Sequence, residues 1–264
     1  MKIEISGFKI QKFDSLESTN KYCEALDLIK VEDFTCYWAL EQTAGIGQRG
    51  NHWESAPGQN LTFSLVLHPT FLPADRQFRL TQALSLAIVD FLSIFNFDSL
   101  HLNRKTRCSQ PSAQFPISIK WPNDIYVADR KICGTLVSTR LCGNTIASAV
   151  CGIGLNVNQC EFPDWVPNPT SLCLLTGKTY ELETFLQHLL QCIEARYDKL
   201  RSECDFEPEY LQHLLNLGTP ARYKYNEEEI EATITGVDPH GRLLLSAADG
   251  RSLSCGMKEI ALLS

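Results

Sequence analysis

The chain has no apolar run approaching the ~20 residues a helix needs to cross a bilayer, and its start, Met1 to Ser6, alternates like a strand instead of carrying a signal-type apolar block. Those two absences point to the cytoplasm. There is no excess of positive charge: 24 Lys and Arg stand against 31 Asp and Glu, a net charge of −7, which argues against nucleic acid as the main partner. The basic cluster Asn103 to Arg107, flanked by Ser, Gln and Pro, reads as a solvated loop. No Cys-x-x-Cys occurs among eleven cysteines, although Cys133, Cys142, Cys151 and Cys160 recur every nine residues. The ligand spacings of a structural zinc site are therefore missing, and Cys133 and Cys151 fall in strand-like runs where cysteine acts as a small apolar residue. Internal repeats and low-complexity tracts are also absent.

What is present is an ordinary globular composition, 44% hydrophobic over 264 residues, enough for one large unit or a medium one with a small companion. Residues 1–13 read as one or two strands, 18–29 as a helix capped by Ser18 or Thr19 with Tyr22, Ala25, Leu26 and Ile29 on one face, 34–40 and 61–67 as strands. Pro73 opens a long amphipathic helix to about Phe95. Residues 98–115 read as a polar loop, 117–121 as a strand, and 125–141 as a hairpin turning at Ala128-Asp129-Arg130. A strand follows over 145–155, a Pro- and Asn-rich loop over 158–170, and helices over 181–203 and 207–216. Beyond Gly218 the texture changes to short strands broken at Asn226-Glu227, Asp238 to Gly241 and Asp249-Gly250, the pattern of a small barrel. The expected boundary lies at 217, giving units 1–217 and 218–264.

Two segments carry chemistry. The first is Lys120-Trp121-Pro122-Asn123-Asp124, followed by Lys131 and Gly134. Pro122 biases it away from helix, and a buried strand would not carry Lys, Asn and Asp without partners. Asn123 and Asp124 suit a Mg²⁺ ion with its triphosphate, or simply close a strand end as a turn pair. Lys131 taken alone reads as a solvated hairpin lysine, and Gly134 three residues on leaves room for a ligand against the strand. The second is Gln42-Thr43-Ala44-Gly45-Ile46-Gly47-Gln48-Arg49-Gly50. It matches G-x-G-x-x-G, but no helix follows and Thr70 stands where an acidic residue is needed, so the dinucleotide reading fails. Three glycines in six residues let backbone N–H groups face a ligand. Arg49 can neutralise a phosphate or carboxylate. Trp53 either stacks on a purine or covers the core. Gly152 and Gly154 with Asn156 form a further small-residue wall.

In order along the chain, Ser18-Thr19-Asn20, Gln42 with the glycine loop and Trp53, the 120–124 string, Lys131 with Gly134, and Gly152-x-Gly154-x-Asn156 resemble the biotin–protein ligases. The resemblance implies an α+β fold: a class II synthetase-like mixed sheet with helices mainly on one side, and an SH3-like barrel at the C-terminus. It implies biotin contacts from Ser18, Thr19, Asn20, Gln42, Gly45, Ile46, Gly47, Gln48, Lys131, Gly134, Gly152 and Gly154. ATP or adenylate contacts would come from Gln48, Arg49, Gly50, Trp53, Lys120, Asn123 and Asn156, catalysis from Lys131 and Arg49, and Mg²⁺ binding from Asp124. The implied reaction forms biotinyl-5′-adenylate and passes biotin to a lysine of a biotin carboxyl carrier domain, in a monomer or homodimer with no membrane partner. Relatives that double as repressors carry a winged helix ahead of the Ser-Thr-Asn segment; only seventeen residues precede Ser18, so no DNA binding is expected. Ile46 and Gln48 replace two arginines usual in the loop. Readings from other classes are a lipoate ligase or octanoyltransferase of the same fold, a class II tRNA synthetase relative, which the negative charge disfavours, and a non-catalytic biotin-binding module.

Overall fold

The computed structural model describes residues 1–5, 7–95 and 117–263; the basic cluster 103–107 and the 98–115 loop lie outside them. Eight strands form one sheet: β1 (Lys2–Ile5), β2 (Phe8–Leu16), β3 (Thr35–Gln42), β4 (Leu61–Leu67), β5 (Ile117–Lys120), β6 (Asp124–Val127), β7 (Arg130–Cys142) and β8 (Thr145–Leu155), in the order β1-β2-β3-β4-β8-β7-β6-β5. Only β2 and β3 run parallel. Their connection passes through α1 (Thr19–Glu24), as a parallel pair requires a crossover.

The helices divide unequally between the two faces of this sheet. On one, α2 (Phe78–Ser93) and α4 (Leu182–Arg201) bury an apolar stripe against Leu61, Phe63, Leu65 and Leu67, with Phe91 and Phe185 edge to face at 5.5 Å. The alternation of β4 turns Thr62, Ser64 and Val66 to the opposite face, where α1 packs. Cys133 and Cys151 are fully buried within β7 and β8, and burial pushes both thiols well above their ordinary range.

The helices differ from expectation in four places, one of them α2: Pro73 opens only a 3-10 turn (Ala74–Arg76), and the α-helix itself runs from Phe78 to Ser93. The first helix stops at Glu24 and resumes as a 3-10 turn at Leu28–Lys30. Cys23 and Leu28 are its buried apolar residues, while Ile29 is 89% exposed. Asp27, a residue that competes for backbone hydrogen bonds, stands at the break. A short α3 (Leu172–Thr176) went unread between Ser171, whose hydroxyl accepts from Leu174 N at 3.1 Å, and Gly177 at φ 70°. The last helix, α5 (Glu207–His213), ends early because Leu214 pairs with Ile119 and Leu215 N bonds to Ile119 O at 2.9 Å.

The C-terminal strands are β9 (Pro220–Tyr225), β10 (Glu228–Val237), β11 (Leu243–Ala247), β12 (Ser252–Cys255) and β13 (Ile260–Leu262), all antiparallel in the order β12-β11-β10-β9-β13. Asn226 and Glu227, both at positive φ, form the two-residue turn between β9 and β10.

Candidate active site

A cavity of about 360 Å³ opens on the α1 face of the large sheet. Its floor follows from strand register. Gly154 pairs with Thr62 on one side and Gly134 on the other; Gly152 pairs with Ser64 and Leu136. Across these three strands β8 presents hydrogen atoms at both positions and β7 at Gly134, and other elements settle into the space. A methyl on Gly154 would overlap the Trp53 ring, and one on Gly152 would overlap the Asn20 amide. A methyl on Gly134 would come 3.2 Å from Trp53 Cζ3 and 3.3 Å from Lys131 Cε.

One end of the cavity is neutral and hydrogen-bonding. The Ser18 hydroxyl caps α1, and Thr19 donates to Gln42 Oε1 from both its amide, at 2.8 Å, and its hydroxyl, at 3.1 Å. Ser64 Oγ lies 2.8 Å from Thr19 Oγ1 and donates to Asn20 Oδ1 at 2.6 Å. Ser18, Thr19 and Asn20 are all buried, and Asn20 Nδ2 has no partner among the described residues. A buried donor without a partner costs about 1–3 kcal/mol, so this end is built to receive an acceptor atom from a ligand.

The other end is charged. Lys131 Nζ pairs with Asp124 at 2.7 Å and sits 5.6 Å from the centroid of the Trp53 ring. Lys120 lies 5.7 Å over the Tyr126 ring, whose phenol is pushed up to about 12 by burial and, less strongly, by Asp124. The 120–124 turn is braced from three sides: Trp121 Nε1 donates to Gly241 O at 3.0 Å, Tyr210 Oη donates to Pro122 O at 2.7 Å, and Asn123 Nδ2 donates to Thr135 Oγ1 at 2.8 Å. The glycine loop closes the top as a short ladder, with Gly47 N bonded to Asn51 O at 2.7 Å and Trp53 N to Gly45 O at 2.9 Å.

A sequence model of the biotin/lipoate A/B protein ligase family matches residues 12–156, the span that holds every group just described apart from Tyr210 and Gly241. The chain belongs to that family. It is 29% identical over 256 residues to the bifunctional ligase/repressor BirA of Bacillus subtilis, covering 95% of this chain and 73% of that protein. It is 30% identical over 227 residues to a biotin–[acetyl-CoA-carboxylase] ligase of Paracoccus denitrificans, covering 82% and 86%. The fold is that of a biotin protein ligase from Aquifex aeolicus solved with biotin and ATP, at a TM-score of 0.74 and 24% identity over 96% of this chain and 98% of that one.

Against that family frame, the residues expected at the site separate into two groups. Ser18, Thr19, Asn20, Gln42, Ile46, Gly47, Gln48, Trp53, Lys120, Asp124, Lys131, Gly134, Gly152 and Gly154 line the one cavity. Four others do not. Gly45 is buried, and a methyl there would meet Trp53 O at 2.6 Å, so it serves the fold of the loop. Gly50 is exposed at φ 82° and makes the turn. Asn156 lies outside the cavity lining; its Nδ2 donates to Thr170 O at 2.9 Å, and its Oδ1 is unpaired among the described residues. Asn123 borders a second cavity of about 210 Å³ beside the first, with Oδ1 unpaired. The side chain of Arg49 lies outside the described residues. The expected residues leave out Phe63, Thr135 and Tyr223, which line the cavity, and Ser64, which bonds to Thr19 and Asn20 beside it; for Ser64 the alternation of small polar with large apolar residues over 61–67 carries a signal.

Proposed function

We propose that this chain is a biotin–protein ligase that activates biotin with ATP as biotinyl-5′-adenylate and transfers it to a lysine of a biotin carboxyl carrier domain. The observation that carries the reading is the placement of Lys131: it pairs with Asp124 of the 120–124 turn beside Gly134, in the same cavity whose neutral end holds Thr19 and Gln42. Relatives named for ligation of biotin to acetyl-CoA carboxylase support the acid and the class of acceptor.

In the first step a carboxylate oxygen of biotin attacks the α-phosphorus of ATP and the bond to pyrophosphate breaks. Two anions must meet, so cations and a dry site matter more than proton transfer. Lys131 exchanges Asp124 for the carboxylate and α-phosphate oxygens, with Arg49 as a second cation from the loop. Thr19, Gln42 and Asn20 hold the polar head of the acid, and Gly152 and Gly154 let Asn20 and Trp53 settle close to the sheet around it. Trp53 offers its face to the purine, with Lys120 and Gln48 near the phosphates. In the second step the acceptor amine attacks the acyl carbon, loses a proton, and AMP leaves.

The charged end also suits Mg²⁺. Asp124 and the unpaired Asn123 Oδ1 are hard oxygen donors, and Mg²⁺ is commonly held by one or two carboxylates plus phosphate oxygens. Asp124 would hold the ion, whose role is to offset phosphate charge. The unit boundary at 217 belongs to the same proposal, residues 218–264 forming the companion barrel.

The test is to incubate the protein with ATP, Mg²⁺, biotin and a carrier domain and to weigh the acceptor. A biotinylated lysine is expected. Pyrophosphate release driven by lipoate or octanoate but not by biotin would transfer the assignment to the other branch of the family.

A further inference from the structure

The Pro- and Asn-rich stretch after β8 reads as a plain loop in the sequence, yet it holds both Lys131 and the return arm of the glycine loop. Lys131 is gripped on both sides of its backbone: its N–H donates to Asn168 O at 2.8 Å, and its carbonyl accepts from Thr170 N at 2.9 Å. The same stretch reaches the glycine loop. Gln159, only 4% exposed, accepts with Oε1 from Ala56 N at 3.0 Å and from Asn60 Nδ2 at 2.5 Å, while its Nε2 donates to Glu161 O at 2.9 Å. Asn60, 1% exposed, returns a bond by accepting from Val157 N at 2.9 Å. Residues 54–60 are the arm by which the glycine loop returns to β4, and Trp53 stands at its head over Gly154 and Gly134. The Gln159–Asn60 pair is thus a buried polar latch between that arm and the segment that holds Lys131. No substrate contact explains it, since neither residue lines the main cavity.

We propose that Gln159 is a positioning residue that latches the return arm of the glycine loop over the pocket, so that the acyl-adenylate formed there meets its acceptor amine instead of water. The inference rests on the ligase reading above and adds to it the part that retains the intermediate. An acyl–phosphate anhydride is open to hydrolysis, so a cover that lifts more often loses product without slowing the first chemical step. The acceptor atom matters most, because Oε1 takes both bonds from the arm. Gln159→Met keeps length and burial and removes it; Gln159→Glu keeps it.

The full chain is assayed with biotin and Mg-ATP, with and without a carrier domain, for pyrophosphate released and biotinyl-lysine formed. For Gln159→Met the pyrophosphate released per lysine modified should rise about threefold or more, and acceptor-free pyrophosphate release should rise with it, because both report opening of the cover. Gln159→Glu should return both towards the wild-type values. A merely structural residue would lower all rates together and leave the ratio unchanged; that result would overturn the inference. If Gln159→Met does not fold, Asn60→Asp, which removes the donor and keeps the acceptor for Val157, should raise the same ratio, and an unchanged ratio there is equally fatal. A wild-type chain that releases no pyrophosphate with biotin and ATP sinks the ligase reading itself, whereas a coupled wild type with an equally coupled variant sinks only the latch.

Discussion

Lys131 illustrates how little a single residue declares on its own. By type and place it is a hairpin lysine, and such lysines are usually solvated. What changes its meaning is Gly134, three residues on, which the sheet sets beside Gly154, twenty residues further along the chain. Removing the ammonium with Lys131→Ala should lower biotin-dependent pyrophosphate release by about 10²–10³-fold, the usual scale for one preorganised charge, without lowering Tm; near-normal release would remove the residue from the chemistry. Gly154→Ala tests the floor. The added methyl displaces the Trp53 ring, so KM for ATP should rise about tenfold or more while the protein stays folded, as read in parallel ATP and biotin titrations. The gathering of Thr19, Gln42 and Trp53 around one cavity was open to inspection because motif order exposes them. Ser64 and Gln159 were not: one is a small polar residue whose partners come from α1, over forty positions away, and the other bonds across about a hundred positions, beyond the reach of any local pattern.

At the scale of elements, periodicity marked where strands and helices lie and failed where a helix end is decided by a distant partner. The long α2 and α4 were legible because each buries a continuous stripe. The close of α5 was not, since β5 recruits Leu214 and Leu215 through backbone bonds that leave no trace in composition. Three helices meet in one ionic clamp: Arg196 of α4, 4% exposed, makes paired bonds at 2.6 Å to Asp90 of α2 and to Glu209 of α5. Bonding to Arg196 holds the Glu209 carboxyl below its ordinary range. A depressed carboxylate stabilises the fold fully above its unfolded value and loses that contribution as pH falls through the folded value. The clamp should therefore weaken only in acid, below the usual glutamate value of about 4.3. Thermal melts from neutral to acid pH should show Glu209→Gln less stable than wild type at pH 7, with the gap narrowing below that point; a constant gap would mean that the charge on Glu209 adds nothing.

Across the whole molecule, the small C-terminal sheet leans on the site it follows. Gly241, at φ 84°, lies so near Phe78 of α2 that a methyl would overlap the ring, and its carbonyl takes the Trp121 indole N–H. Gly241→Ala meets both a strained backbone and a clash, and should cost about 2–3 kcal/mol by thermal unfolding. It should also weaken ATP use, since Trp121 belongs to the 120–124 turn; a destabilised variant with wild-type KM for ATP would show the two units to be energetically joined but functionally separate. The existence of the late strands was plain from their turn residues, whereas their lean on Phe78 and Trp121 was not, because it depends on how two surfaces meet. The bare floor of the cavity carries a last consequence. A position already reduced to hydrogen can only gain bulk, so every mutation there makes the basin shallower. Drift in this lineage towards a differently shaped acid must accordingly be written in the rim, among Ile46, Gln48 and the α1 residues, while the bottom stays locked.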